Sequence, residues 1–103
     1  MGIFSFLDFG GNAIRDALHR DAIVIDVRPP YQYDQGKVRG SLNIPIEQIA
    51  KNAKYISSLK KPVIICGNGS ESGTATRILQ QYGIKEVYNG GNWERVLRVM
   101  KSV

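Results

Sequence analysis

Short apolar runs alternate with segments of helical periodicity along this chain of 103 residues. Four runs are rich in β-branched residues and too short for helices, so they predict strands buried in a sheet. These runs are 22–25, 41–44, 62–66 and 86–88. Beside them, apolar residues recur at intervals of three and four positions, which predicts amphipathic helices with one face on a core. The stripes span 14–18, 49–56, 75–82 and 93–100.

The alternation of single strands with single helices indicates the fold class. Such units place their strands parallel, and the helices then cover both faces of the sheet. The sequence therefore predicts a small open α/β fold with a central, mostly parallel sheet. In such folds ligands bind at the carboxyl ends of the strands, where the loops lead into helices.

The length of the chain accommodates one domain with one core. We assign residues 12–103 to that domain and residues 1–11 to an N-terminal extension. The extension is briefly apolar, but it lacks the basic region and cleavage site of a signal peptide and is too short to span a bilayer. A single cysteine cannot form a disulfide within the chain, so nothing indicates an oxidising compartment. We therefore expect a cytoplasmic monomer that does not associate with membranes.

The net charge of +5 raises the question of nucleic-acid binding. The 14 basic residues are scattered singly or in pairs, however, without an arginine-rich helix or aromatic residues interleaved among them. This pattern favours a solvated basic surface over a nucleic-acid interface. A basic surface also favours small anionic substrates.

The segment most informative about chemistry is the loop that follows the third predicted strand. Cys66 stands at the carboxyl end of that strand, and small residues lead from it into the next helix. Glycines let such a loop turn its N–H groups inward, and the helix start adds unpaired N–H groups and its dipole. We predict a cradle for an anion, a Cys66 pKa below the free value of about 8.5, and covalent catalysis by the thiolate. The alternative is a cysteine that is simply part of the core, because a short glycine-rich loop alone is weak support for a site.

Four segments, taken in order, resemble the single-domain rhodanese family over about residues 12–100. They are 24–28, with Asp26 and Arg28; 32–45; 66–73, with Cys66; and 87–93, with Trp93. The resemblance implies a parallel sheet of about five strands and a persulfide formed on Cys66. It also implies that the backbone amides of the loop bind the anion. The loop residues are Gly67, Asn68, Gly69, Ser70, Glu71 and Ser72.

Glu71 departs from the family pattern, since many relatives carry arginine at this position. A carboxylate beside the sulfur would weaken the binding of thiosulfate and raise the pKa of Cys66 by repulsion between like charges. The alternative is that Glu71 points to solvent and complements the N-terminus of its helix. The sequence leaves both orientations open.

Asp26, Arg28 and Trp93 complete the candidate residues. Asp26 and Arg28 follow a buried strand, and we interpret them as an ion pair that organises the site rather than as an acid and a base. Trp93 belongs to the apolar stripe of its helix, so it is either core or one wall of the pocket. His19 has no second histidine or cysteine to join it, so we expect no metal and no cofactor.

Together these features predict a sulfurtransferase. Its sulfane sulfur would come from thiosulfate, a polysulfide or a persulfide and would pass to cyanide, a thiol or a partner protein. A phosphatase or arsenate reductase of related fold needs arginine six positions after its cysteine, where this chain has Ser72. A sulfur-relay or partner-docking module without enzymatic activity is the remaining alternative.

Overall fold

The computed structural model describes residues 12–103, and the extension predicted for residues 1–11 lies outside them. The described residues form four strands, five α-helices and two 3₁₀ turns. In chain order these are α1 (Asn12–His19), β1 (Ile23–Asp26), α2 (Pro30–Gln35), β2 (Leu42–Asn43), the turns Ile46–Gln48 and Ala50–Asn52, α3 (Ala53–Ser58), β3 (Val63–Gly67), α4 (Ser70–Gln81), β4 (Val87–Asn92) and α5 (Trp93–Lys101).

The four strands form one parallel sheet with the order β2-β1-β3-β4. Each strand coincides with one of the four apolar runs, so the predicted parallel α/β fold is confirmed. The family resemblance implied about five strands, one more than the described residues contain.

Helices cover both faces of the sheet, and each face has its own core. On one face α4 packs through Ala75 and Leu79, and the segment around α3 contributes Ile49, Ala53 and Ile56. On the other face α1 and α5 pack through the buried residues Ile14, Ala17 and Val96. The side chain of Cys66 belongs to this second face, together with Ile64 of the same strand. The chemistry-bearing strand β3 therefore lies between two apolar layers, and all five of its residues are buried.

Two elements differ from the sequence prediction. Helix α2 was not predicted, because Pro30–Gln35 has no buried residue and therefore no apolar stripe. The stripe at 49–56 forms a 3₁₀ turn followed by the short helix α3 instead of one continuous helix. Its apolar residues are nevertheless buried as predicted. Gly83, with φ of +87°, follows the end of α4 in a conformation that suits glycine.

Within residues 12–103, no helix combines the length and the apolar character that a membrane crossing requires.

Candidate active site

Cys66 is the fourth residue of β3, between two neighbouring strands at the carboxyl edge of the sheet. It pairs in register with Asp26 of β1 and with Gly91 of β4. The strand continues through Gly67, and α4 begins at Ser70, so only Asn68 and Gly69 separate strand from helix. Gly69 has φ of +100°, a conformation that side-chain-bearing residues rarely adopt, and this lets the chain turn sharply into the helix.

The predicted anion-binding residues therefore divide into a turn and the first turn of a helix. Ser70, Glu71 and Ser72 are the first residues of α4, where N–H groups lack partners within the helix and the dipole is positive. Ser70 is exposed, whereas Ser72 is fully buried. The Ser72 hydroxyl lies 2.5 Å from the carbonyl oxygen of Gly69 and 2.7 Å from Oδ1 of Asn89. Its side chain is thus part of the framework, and only its backbone amide can face a ligand.

Glu71 is half-buried in that first helical turn, between the two orientations considered from the sequence. Its carboxylate complements the positive end of the helix dipole. The carboxylate that acts on the pKa of Cys66 is that of Asp26, across the strand pair, and not that of Glu71.

Asp26 and Arg28 form a buried ion pair at the end of β1. Nη2 of Arg28 donates to Oδ2 of Asp26 at 2.7 Å, and Nε lies 3.0 Å from both carboxylate oxygens. The backbone N–H of Arg28 donates to the same carboxylate at 3.0 Å. The side chains of Asp26 and Arg28 are 0% and 5% exposed. Because every charged oxygen has a donor, the pair is compatible with its burial.

The remaining donors of Arg28 organise the wall of the site. Nη1 donates to the carbonyl of Gln32 at 3.3 Å, and Nη2 donates to the carbonyl of Gly36 at 2.6 Å. The guanidinium carbon lies 4.6 Å from the centre of the Trp93 ring, which is a cation–π contact. Trp93 also packs against Gly36, where an added Cβ would come within 3.0 Å of the ring. Arg28 thus links β1, α2 and α5 around one point.

A cavity of about 410 Å³ opens beside this wall. Its lining combines amide and aromatic side chains with the guanidinium of the ion pair. The lining residues are Arg28, Tyr31, Gln32, Gln35, Gly36, Asn68 and Trp93. Nδ2 of Asn68 donates to Oε1 of Gln32 at 2.8 Å and ties the turn after β3 to helix α2. Cys66 does not line the cavity, because the cysteine is fully buried. A substrate can reach the sulfur only if an element that covers Cys66 moves.

The electrostatic state of Cys66 differs from the sequence prediction. Burial, the largest cause, raises the pKa of its thiol from 9.0 to about 12, the Asp26 carboxylate adds to the rise, and Arg28 opposes it. The prediction of a lowered pKa is therefore wrong for this conformation. It assumed a sulfur at the open mouth of a loop, whereas Cys66 lies inside a strand under a helical layer.

The site thus brings together Cys66, the ion pair, Trp93 and the predicted turn at one edge of the sheet. Sequence reasoning did not single out Gln32, Gly36 or Asn89. Gln32 and Gly36 fall within segment 32–45, which carried part of the family resemblance, and that was the available signal. Asn89 falls likewise within segment 87–93, but nothing in the sequence indicated that its side chain would contact Ser72 of another segment.

The comparisons with known proteins agree with this architecture. The model of the Rhodanese-like domain family matches residues 12–92. Among solved structures, a rhodanese with anions from E. coli superimposes with a TM-score of 0.66 at 33% identity, covering 72% of this chain and 89% of that one.

Three curated relatives show how far the similarity extends. Uncharacterized protein YqhL of Bacillus subtilis is 35% identical over 71 residues, which cover 69% of this chain and 56% of that protein. Thiosulfate sulfurtransferase PspE of Escherichia coli is 36% identical over 69 residues, covering 65% of this chain and 66% of that protein. Putative sulfur carrier protein YrkF of Bacillus subtilis is 30% identical over 66 residues, covering 64% and 36%. The chain therefore spans between a third and two thirds of the length of these relatives.

Proposed function

The chain belongs to the rhodanese-like domain family, and we propose that it is a sulfurtransferase that moves a sulfane sulfur through a persulfide on Cys66. The position of its single cysteine carries the proposal. Cys66 lies at the carboxyl edge of a parallel sheet, two residues before a glycine turn and four before a helix N-terminus. That edge is where ligands of open α/β folds bind. The name of one relative, a thiosulfate sulfurtransferase, supports the same chemistry.

The proposed reaction has two displacement steps and no net oxidation. The Cys66 thiolate attacks the outer sulfur of the donor, the donor's S–S bond breaks, and its electron pair leaves on sulfite or on a thiolate. The product is a Cys66 persulfide. An acceptor nucleophile then attacks the terminal sulfur of the persulfide. The S–S bond of the persulfide breaks, and its electron pair stays on the Cys66 sulfur, which becomes a thiolate again.

The residues around Cys66 have distinct parts in this scheme. The amides of residues 67–72, with the dipole of α4, bind the anionic donor and the negative terminal sulfur of the persulfide. The Asp26–Arg28 pair holds the ends of β1 and α2 in place, and Trp93 forms a wall of the cavity. The raised pKa of Cys66 makes the resting sulfur a thiol at neutral pH, so sulfur uptake should accelerate as the pH rises.

The donor is thiosulfate, a polysulfide or a persulfide, and we propose that Glu71 disfavours thiosulfate. A carboxylate in the first turn of α4 repels a dianion at the helix N-terminus. Replacing Glu71 with arginine should increase thiosulfate turnover several-fold and make it more sensitive to salt. The matched control is Asp16→Arg on α1, because Asp16 is exposed and paired with Arg20. Equal rates for wild type and Glu71→Arg would show that the carboxylate faces solvent.

We propose that the acceptor is a thiol or a partner protein, with cyanide as its substitute in an assay. The protein would act as a cytoplasmic monomer in which residues 12–103 form the single catalytic domain and residues 1–11 an extension. Neither nucleic acid nor a membrane enters the scheme, and it needs no metal or cofactor.

Intact-mass spectrometry tests the proposal directly. Incubation with thiosulfate, polysulfide or a low-molecular-weight persulfide should add the mass of one sulfur atom to the chain. Dithiothreitol should remove that mass, and Cys66→Ser should prevent its addition. The absence of an adduct from all three donors would contradict the sulfurtransferase.

The complete burial of Cys66 favours a second candidate, a sulfur-relay or docking module. Such a module would accept sulfur only when a partner protein opens the site. The name of another relative, a putative sulfur carrier protein, is consistent with this alternative. Lack of sulfur uptake from all three small donors, together with uptake from a persulfidated protein, would favour the relay.

A further inference from the structure

Asn89 of β4 joins two segments that flank Cys66 in space. Its Oδ1 accepts a hydrogen bond from the backbone N–H of Gly91 at 3.0 Å. The same oxygen lies 2.7 Å from the hydroxyl of Ser72 in α4. One side chain therefore contacts both the strand partner of Cys66 and the helix that follows the turn.

The contact with Gly91 holds an irregularity opposite the cysteine. Ile65 pairs with Asn89 whereas Cys66 pairs with Gly91, so Gly90 is an extra residue in β4. Such a bulge bends a strand and redirects the neighbouring side chains. An added Cβ on Gly90 would come within 2.7 Å of Val96 and 2.9 Å of the Ile65 carbonyl oxygen, so the bulge is closely packed.

The contact with Ser72 reaches the turn itself. The Ser72 hydroxyl lies between two acceptors, the Gly69 carbonyl at 2.5 Å and Asn89 at 2.7 Å. A hydroxyl has one proton, so the two oxygens compete for it. Gly69 is the residue with φ of +100° that directs the chain from β3 into α4. When that proton points to Asn89, the hydroxyl ties the first turn of α4 to β4.

We propose that Asn89 is a positioning residue for sulfur transfer, on the basis of the function proposed above for Cys66. Through Gly91 it fixes the bulge opposite Cys66, and through Ser72 it ties the first turn of α4, whose amides bind the donor, to β4. Asn89 itself is exposed, so its replacement removes these two contacts without opening a core cavity.

The test compares Asn89→Ala with Asn89→Asp, which keeps an acceptor oxygen at the same place. With polysulfide as donor and cyanide as acceptor, kcat should fall between about 10-fold and 100-fold in Asn89→Ala, because small displacements at a reacting centre have effects of this size. Asn89→Asp should keep at least about a third of the wild-type kcat. The matched control is Asn52→Ala, which removes an amide bonded to Gln48 far from Cys66 and should leave kcat unchanged.

A wild-type kcat in Asn89→Ala would overturn the proposal, and so would an equal loss in the alanine and aspartate variants. Hydrogen exchange of the Gly91 amide should be faster in Asn89→Ala and slow in Asn89→Asp, in parallel with kcat.

Alkylation of Cys66 by iodoacetamide separates this proposal from the proposed function. Loosening the bulge and the contact between α4 and β4 should make alkylation at least about fivefold faster in Asn89→Ala, and the aspartate variant should resemble the wild type. This result would support the positioning role even if the wild type accepted no sulfur from any donor. An unchanged alkylation rate in Asn89→Ala would overturn it.

Discussion

Asp26 and Cys66 are partners in register on adjacent parallel strands, and both side chains are fully buried, yet their hydrogen-bonding surroundings are opposite. The Asp26 carboxylate accepts hydrogen bonds from three N–H groups of Arg28. The Cys66 thiol has no comparable set of donors, and burial raises its pKa to about 12 although the Arg28 charge opposes the rise. The difference lies in the partners of the two groups, because their burial is the same.

This comparison shows that the residues that hold the site in place are different from the residue that reacts. The charge of Arg28 is directed at Asp26, at two backbone carbonyls and at the Trp93 ring, so it stabilises the framework. The sulfur beside that framework stays neutral in the resting state. We infer that the site is rigid at the end of β1 and becomes reactive at the end of β3 only when the surroundings of Cys66 change.

The largest expected effect on stability comes from removing the Arg28 side chain, which binds the buried Asp26 carboxylate. Arg28→Ala leaves the buried carboxylate without its counter-charge and with only the backbone N–H of residue 28 as donor, and it should lower the free energy of unfolding by about 3–5 kcal/mol. Urea denaturation followed by circular dichroism measures this loss. As a control, Lys61→Ala removes the exposed pair with Asp21 and should cost less than about 1 kcal/mol. Equal losses in the free energy of unfolding for Arg28→Ala and Lys61→Ala would contradict a larger contribution of the buried pair to stability.

A smaller effect should follow from the neutrality of Cys66. The pKa of the folded protein's thiol is raised from 9.0 to about 12, so folding favours the protonated form. The corresponding stability is fully present below pH 9 and is lost as the pH rises through 12. At about pH 10.5 the wild type should have lost about 2 kcal/mol more than Cys66→Ala. Parallel pH profiles of the two proteins in urea denaturation would contradict the raised pKa.

The smallest effect couples the two groups. Asp26→Asn removes the carboxylate that raises the pKa of Cys66 and leaves the Arg28 charge to lower it. Alkylation of Cys66 by iodoacetamide near pH 8 should therefore be about threefold to tenfold faster in this variant. Asp16→Asn, on the exposed side of α1, is the control for a change in net charge. A rate equal to that of the wild type would show that Asp26 does not act on the sulfur.

Particular residues show how much of this molecule its sequence could predict. The four apolar runs located the four strands of the described residues, and for β1 and β3 the reason is that burial between two helical layers requires apolar residues there. Helix α2 left no pattern, since it buries none of its own residues. The position of Cys66 at the carboxyl edge could be predicted, and its burial in the core was one of the two alternatives that the sequence left open. That burial depends on the layer formed by α1 and α5, which the local sequence of the loop does not reveal.

The hydrogen bonds that join separate segments of the site also could not be predicted from the sequence, for a related reason. The bond between Asn68 and Gln32 joins residues 36 positions apart, and the contact between Ser72 and Asn89 joins residues 17 positions apart. Amide and hydroxyl side chains occur in many loops, so a partner is visible only once the fold places the two segments together. The ion pair of Asp26 and Arg28 was predictable because its members are two positions apart.

The stacking of Trp93 on Arg28 gives the site an optical reporter of its own. The chain has a single tryptophan, so all of its indole fluorescence comes from the wall of the cavity. The ring is partly buried and lies 4.6 Å from the guanidinium carbon. Entry of water or a ligand into the cavity should shift the emission wavelength, whereas events at the opposite end of the sheet should not. Opening of the site could thus be followed in real time in the unlabelled protein.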